Sequence, residues 1–350
     1  MNRHSFIDRH LKERTIVSLL LSPFSFIYLI IMSIRRWLYD VIPFLSYKSK
    51  FKVISIGNIT TGGTGKTPFV LYLANKLKQE GYKVAIVLRG YKGAFEYKTA
   101  LIADEEKVYD IAKIAGDEAI LYTDNLKNTP VCVGKNRVKS VQLLEEMFPE
   151  LDCVILDDGF QYLRIRQDTK YCVFSTDKPI GNGFCLPAGI LREGCSSLKY
   201  VDVFVVNGEF DATSTRYGDV KIATMFEKYG KQVLYGDYAI NEIIDFNGKV
   251  FCVDELKEKN LMLLSGIGTP KSFENTVEKA GLCFERHLCL DDHFEYNQVF
   301  IDAYKDVFGK YDYVLTTEKD FTKLKALKMG EGMLVVKVGF LVNMAFPLGM

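Results

Sequence analysis

Short apolar runs alternate with segments of helical periodicity along most of this chain of 350 residues. The runs Val53–Ile56, Val84–Leu88, Val131–Val133, Cys153–Leu156, Tyr171–Phe174 and Val203–Val206 are almost continuously apolar, with no polar face of their own. Between the first two, Phe69, Val70, Leu73 and Leu77 recur on one face of a helix that ends near Gly81, and helices are also predicted over Asp117–Asp124 and residues 136–148. Continuous apolar strands separated by helices predict a mainly parallel sheet covered on both faces. Residues 92–110 read as a looser insertion, and residues 208–260 break the rhythm with weak strand signals. It restarts with strands at Leu261–Leu264, Cys283–Leu290, Tyr313–Leu315 and Leu334–Val338, and with helices at 270–280 and 297–308. The expected organisation is an N-terminal helix in residues 1–40, a main α/β domain in 41–240 and a smaller α/β domain in 241–350.

The N-terminal segment has a different character. Thr15–Ile34 is twenty residues without a formal charge, rich in Leu, Ile and Phe and interrupted by Pro23. A hydrocarbon core needs about 20 apolar residues to be crossed. Arg3, Arg9, Lys12 and Arg14 precede the segment and Arg35 and Arg36 follow it, so flanking charge does not set an orientation. A spanning anchor, a helix lying in the interface and a buried core helix all satisfy this pattern, and membrane attachment is the favoured reading. No small-residue site follows that would mark a cleaved signal peptide.

Thr60, Thr61, Gly62, Gly63, Thr64, Gly65, Lys66 and Thr67 join the first strand to the first periodic helix. A strand, a Gly-rich turn and a helix opening on Lys-Thr form the setting of a phosphate-binding loop. Backbone N–H groups of Gly63, Thr64 and Gly65 can converge on an anion with the helix dipole behind them, Lys66 can reach the outer phosphates and the Thr67 hydroxyl can bind Mg2+. Thr60 stands where the usual pattern has its first Gly. Asp157 and Asp158 close a strand expected beside this loop, where a metal-binding carboxylate is needed. Adjacent residues of a strand point to opposite faces, so one of them would face the metal and the other flank it. Asp117 and Glu118 open a helix, Arg192 follows the turn-rich segment Leu186–Leu191, and His293 lies in an acid-rich loop suited to proton handling.

The balance of 45 Lys and Arg against 44 Asp and Glu gives a net charge of +1, so no basic field points to nucleic acid. The eight cysteines contain no C-x-x-C pair, and several fall inside apolar runs, as expected of free thiols in a reducing compartment. Four histidines, none paired with Cys at ligand spacing, give no ground for a zinc site.

The set of motifs resembles the tetraacyldisaccharide 4'-kinase family. The residues that carry the likeness are Arg35–Tyr39, Gly57–Pro68, Arg89–Tyr91, Gly116–Glu118, Asp157–Gln161, Leu186–Gly189 with Leu191–Glu193, Gly266–Gly268, Asp292-His293 and Thr317–Asp320. The family's loop also lacks the usual first Gly. The resemblance implies a P-loop kinase of two α/β domains with a membrane-associated helix. It would transfer the γ-phosphate of ATP to the 4'-hydroxyl of a tetraacyl glucosamine disaccharide 1-phosphate in lipid A biosynthesis. ATP and Mg2+ would occupy the cleft, with Thr67, Asp157, Asp158 and Glu118 on the metal. Asp117 would be the base, aided by His293; Arg137 and Arg192 would lie near the phosphates, and Tyr91, Gln161 and Glu193 on the substrate side. The expected partners are the acylated lipid and a membrane surface, at the inner membrane with both domains facing the cytoplasm. Two positions depart from the family's pattern: Tyr162 and Phe294 stand where it often has His. The competing reading of the loop is a membrane-associated ATPase switch of the partitioning type, which carries a Lys where this chain has Thr61.

Overall fold

The computed structural model describes residue 11 and residues 13–90, 93–95, 97–109, 114–176, 179–208, 224–292, 294–328 and 332–342. Helix α1 (Ile16–Val41) begins at a reciprocal cap, in which Ser18 N–H donates to Thr15 Oγ1 and Thr15 N–H to Ser18 Oγ. It outlasts the uncharged stretch because Arg36 finds buried partners, and a 3-10 turn at Pro43–Leu45 follows its end.

The main body follows in the order β1 (Lys52–Gly57), α2 (Lys66–Gln79), β2 (Val84–Leu88), β3 (Ala100–Ala103), α3 (Asp117–Asn125), β4 (Val131–Val133), α4 (Arg137–Met147), β5 (Cys153–Asp157), β6 (Thr169–Ser175), β7 (Val203–Asn207) and β8 (Gln232–Asp245). The remainder comprises β9 (Val250–Phe251), α5 (Val253–Leu256), β10 (Leu261–Ser265), α6 (Pro270–Lys279), β11 (Arg286–Cys289), α7 (Gln298–Phe308), β12 (Tyr313–Thr317), α8 (Glu318–Leu324) and β13 (Met333–Val342). All strands join one sheet in the order β11-β10-β12-β13-β8-β7-β6-β1-β5-β2-β4-β3, with β9 paired to β8. Neighbours are parallel except β3 with β4, β8 with β13 and β8 with β9.

Strand β1 lies between β5 and β6, and the chain leaves it toward β2 on one side and later returns to β6 on the other. The carboxyl end of such a strand opens a crevice at the point where the winding reverses, which is where a ligand fits. Phe69, Val70, Leu73 and Leu77 of α2 are all buried against the sheet, as their spacing predicts.

Two strands depart from the sequence expectation. Ala100–Ala103 forms β3 inside the segment read as an insertion. Strand β8 runs unbroken through Asp245 in the region read as irregular, and residue 240, the expected domain boundary, lies within it. Its first residues pair in parallel with β7, and Gly236–Asp245 pair antiparallel with β13. Only scattered β8 residues are fully buried, which is why its apolar signal is weak. Gly236 is required there, because a Cβ would sit 2.2 Å from ring atoms of Phe340. Helix α8 was also missed, although Thr317 caps it by accepting from Asp320 N–H, the Ser/Thr-x-x-acid pattern of a helix start. The eight cysteines are free, with Cys132, Cys153, Cys172 and Cys185 buried.

A buried carboxylate fastens the entry to β1. Glu145 accepts from Tyr47 Oη at 2.6 Å, Ser49 Oγ at 2.7 Å and Lys50 N–H at 2.8 Å. Burial pushes its carboxyl up, but these donors outweigh burial and hold it below its ordinary 4.5. Its stabilisation is therefore present above pH 4.5 and lost as pH falls through the lower folded value. Glu145→Gln is expected to cost about 1–3 kcal/mol at pH 7. Urea unfolding at pH 7 and below pH 4.5 checks this, since the deficit closes on acidification.

Candidate active site

The loop between β1 and α2 is held by the 190–192 segment and by side chains from neighbouring loops and strands. Arg192 N–H donates to Ile59 O at 2.7 Å and Thr61 N–H to Ile190 O at 2.8 Å, so the 190–192 segment lies along the loop's first half. Beneath it, Asn58 Nδ2 donates to Thr64 Oγ1 at 3.1 Å and Gln161 Nε2 to Asn58 O at 2.7 Å. Asn207, at the end of β7, donates to Thr64 O at 3.2 Å and to Tyr238 Oη at 2.6 Å. Gly62 and Gly65 take φ of 100° and 83°, which turns the loop into α2. Gly62–Thr67 line a cleft of about 680 Å³, together with Arg89, Asp117, Glu118, Arg137, Asp157, Asp158 and Arg192 from the main body. The opposite wall is formed by Ile267, Gly268, Thr269, Asp292 and Thr317–Lys319.

The two strand-end acids have different surroundings. Asp158 has φ 49°, and its carboxylate accepts from Arg192 Nη1 at 2.8 and 3.0 Å with Lys66 Nζ at 3.5 Å. Its backbone carbonyl accepts from Arg137 Nη1 at 2.8 Å. Burial would raise the Asp158 carboxyl, but Lys66 and then Arg192 outweigh it and hold the group at about 2. Asp157 is buried; one oxygen accepts from Tyr122 Oη at 2.8 Å, while Oδ1 is buried with no hydrogen-bond partner. Burial raises its carboxyl, with Lys66 opposing. Burial also raises Glu118, to about 7, with the Asp157 charge adding to the effect. Two carboxyls close enough for their charges to interact, one of them with an orphan buried oxygen, lie on the same cleft as Thr67 and are suited to a small divalent cation.

Asp117 lines the cleft at the start of α3, with Lys323 Nζ of α8 at 3.0 Å from Oδ2. Thus Lys66, Thr67, Asp117, Glu118, Arg137, Asp157, Asp158 and Arg192 come together around one cleft. Thr60 and Thr61 belong to the loop's anchorage by the 190–192 segment rather than to the cleft lining. Glu193 and Gln161, expected on the substrate side, are engaged elsewhere. Glu193 is buried in an ion pair with Arg36 of α1 at 2.6 and 2.8 Å, and Gln161 supports the Asn58 carbonyl. Tyr91 and His293 lie outside the described residues. Asn58, Asn207 and Tyr238 were missed; Asn58 sits inside a quoted motif, whereas Asn207 and Tyr238 carry no local signal.

A Gly-rich loop under a helix N-terminus, a lysine over it, strand-end acids beside it and a facing carboxylate define a P-loop phosphotransferase. The family model described as tetraacyldisaccharide-1-P 4'-kinase (LpxK) matches residues 17–346, and the chain belongs to that family. It is a kinase of lipid A biosynthesis, and the partitioning-type switch falls away. A tetraacyldisaccharide 4'-kinase of Pelobacter propionicus is 31% identical over 347 residues, covering 97% of this chain and 92% of that one. One from Ruthia magnifica is 36% identical over 320 residues, covering 90% of each. The fold also matches the crystal structure of an "apo" form LpxK from Aquifex aeolicus in complex with ATP, with TM-score 0.73, 26% identity and coverage of 94% and 96%.

Gly65 offers a direct test of the loop's packing. A Cβ there would lie 1.9 Å from Asn207 Nδ2 and 2.1 Å from Tyr238 Oη. Gly65→Ala is expected to destabilise the protein by about 1–3 kcal/mol. It should also weaken nucleotide binding by at least about tenfold, or 1.4 kcal/mol. Denaturant unfolding and nucleotide titration of the same variant measure both.

Proposed function

We propose that the cleft transfers the γ-phosphate of ATP to the 4'-hydroxyl of a tetraacyl glucosamine disaccharide 1-phosphate at the inner membrane, with the catalytic body facing the cytoplasm. The observation that carries this reading is the placement of Asp117 on the same cleft as the phosphate loop, Lys66 and the strand-end acids. Amides of residues 63–67 and the start of α2 hold the nucleotide's phosphates, with Lys66 on the outer ones. Thr67, Asp157 and Glu118 would hold Mg2+, to which the orphan Asp157 oxygen is suited. When bound, that ion neutralises charge on the phosphate oxygens. Asp158 serves chiefly as the anchor that aims Arg192 and Lys66 into the cleft. Asp117 orients the acceptor hydroxyl and takes its proton, and the sequence resemblance makes His293 its partner. The 41–240 and 241–350 units form the two walls, and β8 connects them.

The N-terminal helix supports a substrate that stays in lipid. α1 is long and apolar enough to cross a membrane, yet the residues it buries are Ser18, Ser25 and Arg36. Ser25 Oγ donates to Cys185 O at 2.6 Å and Tyr28 Oη to Arg192 O at 3.0 Å, while Ile16, Leu20, Phe24, Ile27 and Ile31 are exposed. A helix docked along the body by Ser18, Ser25, Tyr28, Leu29 and Arg36, with most of its apolar side chains outward, fits one lying in the interface rather than crossing it alone. It is tied to the Leu191–Glu193 segment, which also supplies Arg192 to the cleft.

The assay is transfer of labelled phosphate from ATP to the acylated disaccharide by purified protein. A nucleotide-binding protein that labels no lipid rules the assignment out. Lys66→Ala is expected to abolish turnover, and Asp117→Asn to lower kcat by about 10²–10⁴-fold with ATP affinity kept. Ile27 and Ile31 are 55% and 58% exposed, so their joint replacement by Lys should leave melting unchanged and release the protein from sedimenting membranes. Continued pelleting of that variant excludes α1 as the attachment.

A further inference from the structure

Three polar ties join α3 of the main body to α8 and its C-cap residue Lys325 on the facing wall. Asn125 Nδ2 donates to Glu318 Oε1 at 3.2 Å, Lys325 Nζ lies 3.0 Å from Asp124 Oδ2, and Lys323 Nζ lies 3.0 Å from Asp117 Oδ2. The Lys325–Asp124 pair is open to solvent on both sides and contributes little. The Lys323 and Asp117 side chains are only 15% and 23% exposed. Lys323 also donates to Phe294 O at 3.1 Å, the carbonyl directly after His293 in the sequence. Its ammonium therefore bridges the candidate base to the Phe294 carbonyl. Asp117 lines the cleft, whereas Lys323 is not among the residues that line it.

We propose that Lys323 is a positioning residue that fixes the Asp117 carboxylate toward the acceptor hydroxyl and ties it to the backbone at Phe294. This deepens the reading of Asp117 as the base and rests on it. A carboxylate at the first turn of a helix can adopt several rotamers, and an ammonium held by a second partner selects one of them. Misplacement of a reacting group by about 1 Å can cost about 10²-fold in rate.

The test uses the full chain, ATP and the acylated disaccharide, with Lys323→Met, Lys323→Gln, Lys323→Arg and Asp117→Asn. Gln retains a donor for Phe294 O but no charge, which gives a second neutral variant should Met not fold. Neutral variants are expected to lower kcat by about 10–100-fold while the KM for ATP stays within about twofold, and Arg to recover most of the rate. Combined with Asp117→Asn, they should cost nothing further, because Lys323 acts through that carboxylate. A folded neutral variant with wild-type kcat, or one whose loss recurs in full in the Asp117→Asn background, overturns the role of Lys323 and leaves the base intact. Wild-type kcat in Asp117→Asn itself overturns the base, and the proposal with it.

Discussion

The site depends on one charge cluster at the end of β5. Two carboxylates, Asp157 and Asp158, leave the strand in succession, and the left-handed backbone of Asp158 turns its side chain away from the strand's own alternation. Asp158 then gathers Lys66 and Arg192 on its carboxylate and Arg137 on its carbonyl. Three cations so close together would repel one another in a half-buried cleft without an anion among them. With Asp158 ionised they are held in place before any phosphate arrives, which is the preorganisation phosphoryl transfer requires. Asp157 is left with a desolvated oxygen and a neighbouring, partly buried Glu118 whose carboxyl is raised.

The same cluster connects the cleft to the N-terminal helix, whose outward side is apolar. Arg192 and Glu193 are adjacent in sequence but have opposite duties. Arg192 points to Asp158, whereas Glu193 is buried against Arg36 of α1, whose guanidinium also donates to Phe160 O and lies 4.4 Å from the centre of the Phe160 ring. A buried pair of this kind adds little net stability, but the loss of either partner leaves an uncompensated charge. Its effect is to fix one register of α1 on the body. The apolar side chains of α1, Ile16, Leu20, Phe24, Ile27 and Ile31 among them, then point outward from the body.

Much of this was legible before folding, and particular residues show why. The 60–67 loop is local: Gly, Lys and Thr act through the backbone they themselves shape, so eight consecutive residues declare a phosphate site. The helical face of Phe69, Val70, Leu73 and Leu77 is legible for the same reason. Glu193 was recognised as belonging to a motif but assigned to substrate, because its partner Arg36 lies 157 residues away. Strand β8 was lost because it is half-exposed along much of its length, and Asn207 and Tyr238 matter only through their approach to Gly65.

The sequence by itself determined the chemistry available: a phosphate loop, a strand-end acid pair, a helix-opening acid and an uncharged N-terminal segment, each written in consecutive residues. Tertiary structure alone decided how those groups divide the work. Asp157 and Asp158 are indistinguishable as letters, and burial with orphaning of one and triple engagement of the other separates them. The N-terminal segment is compatible in sequence with a span, an interfacial helix or a core helix, and its contacts with the body, with only Ser18, Ser25 and Arg36 of α1 buried, speak against a core helix. Side-chain identity sets what a group can do, whereas its desolvation and its partners, drawn from distant parts of the chain, set what it does.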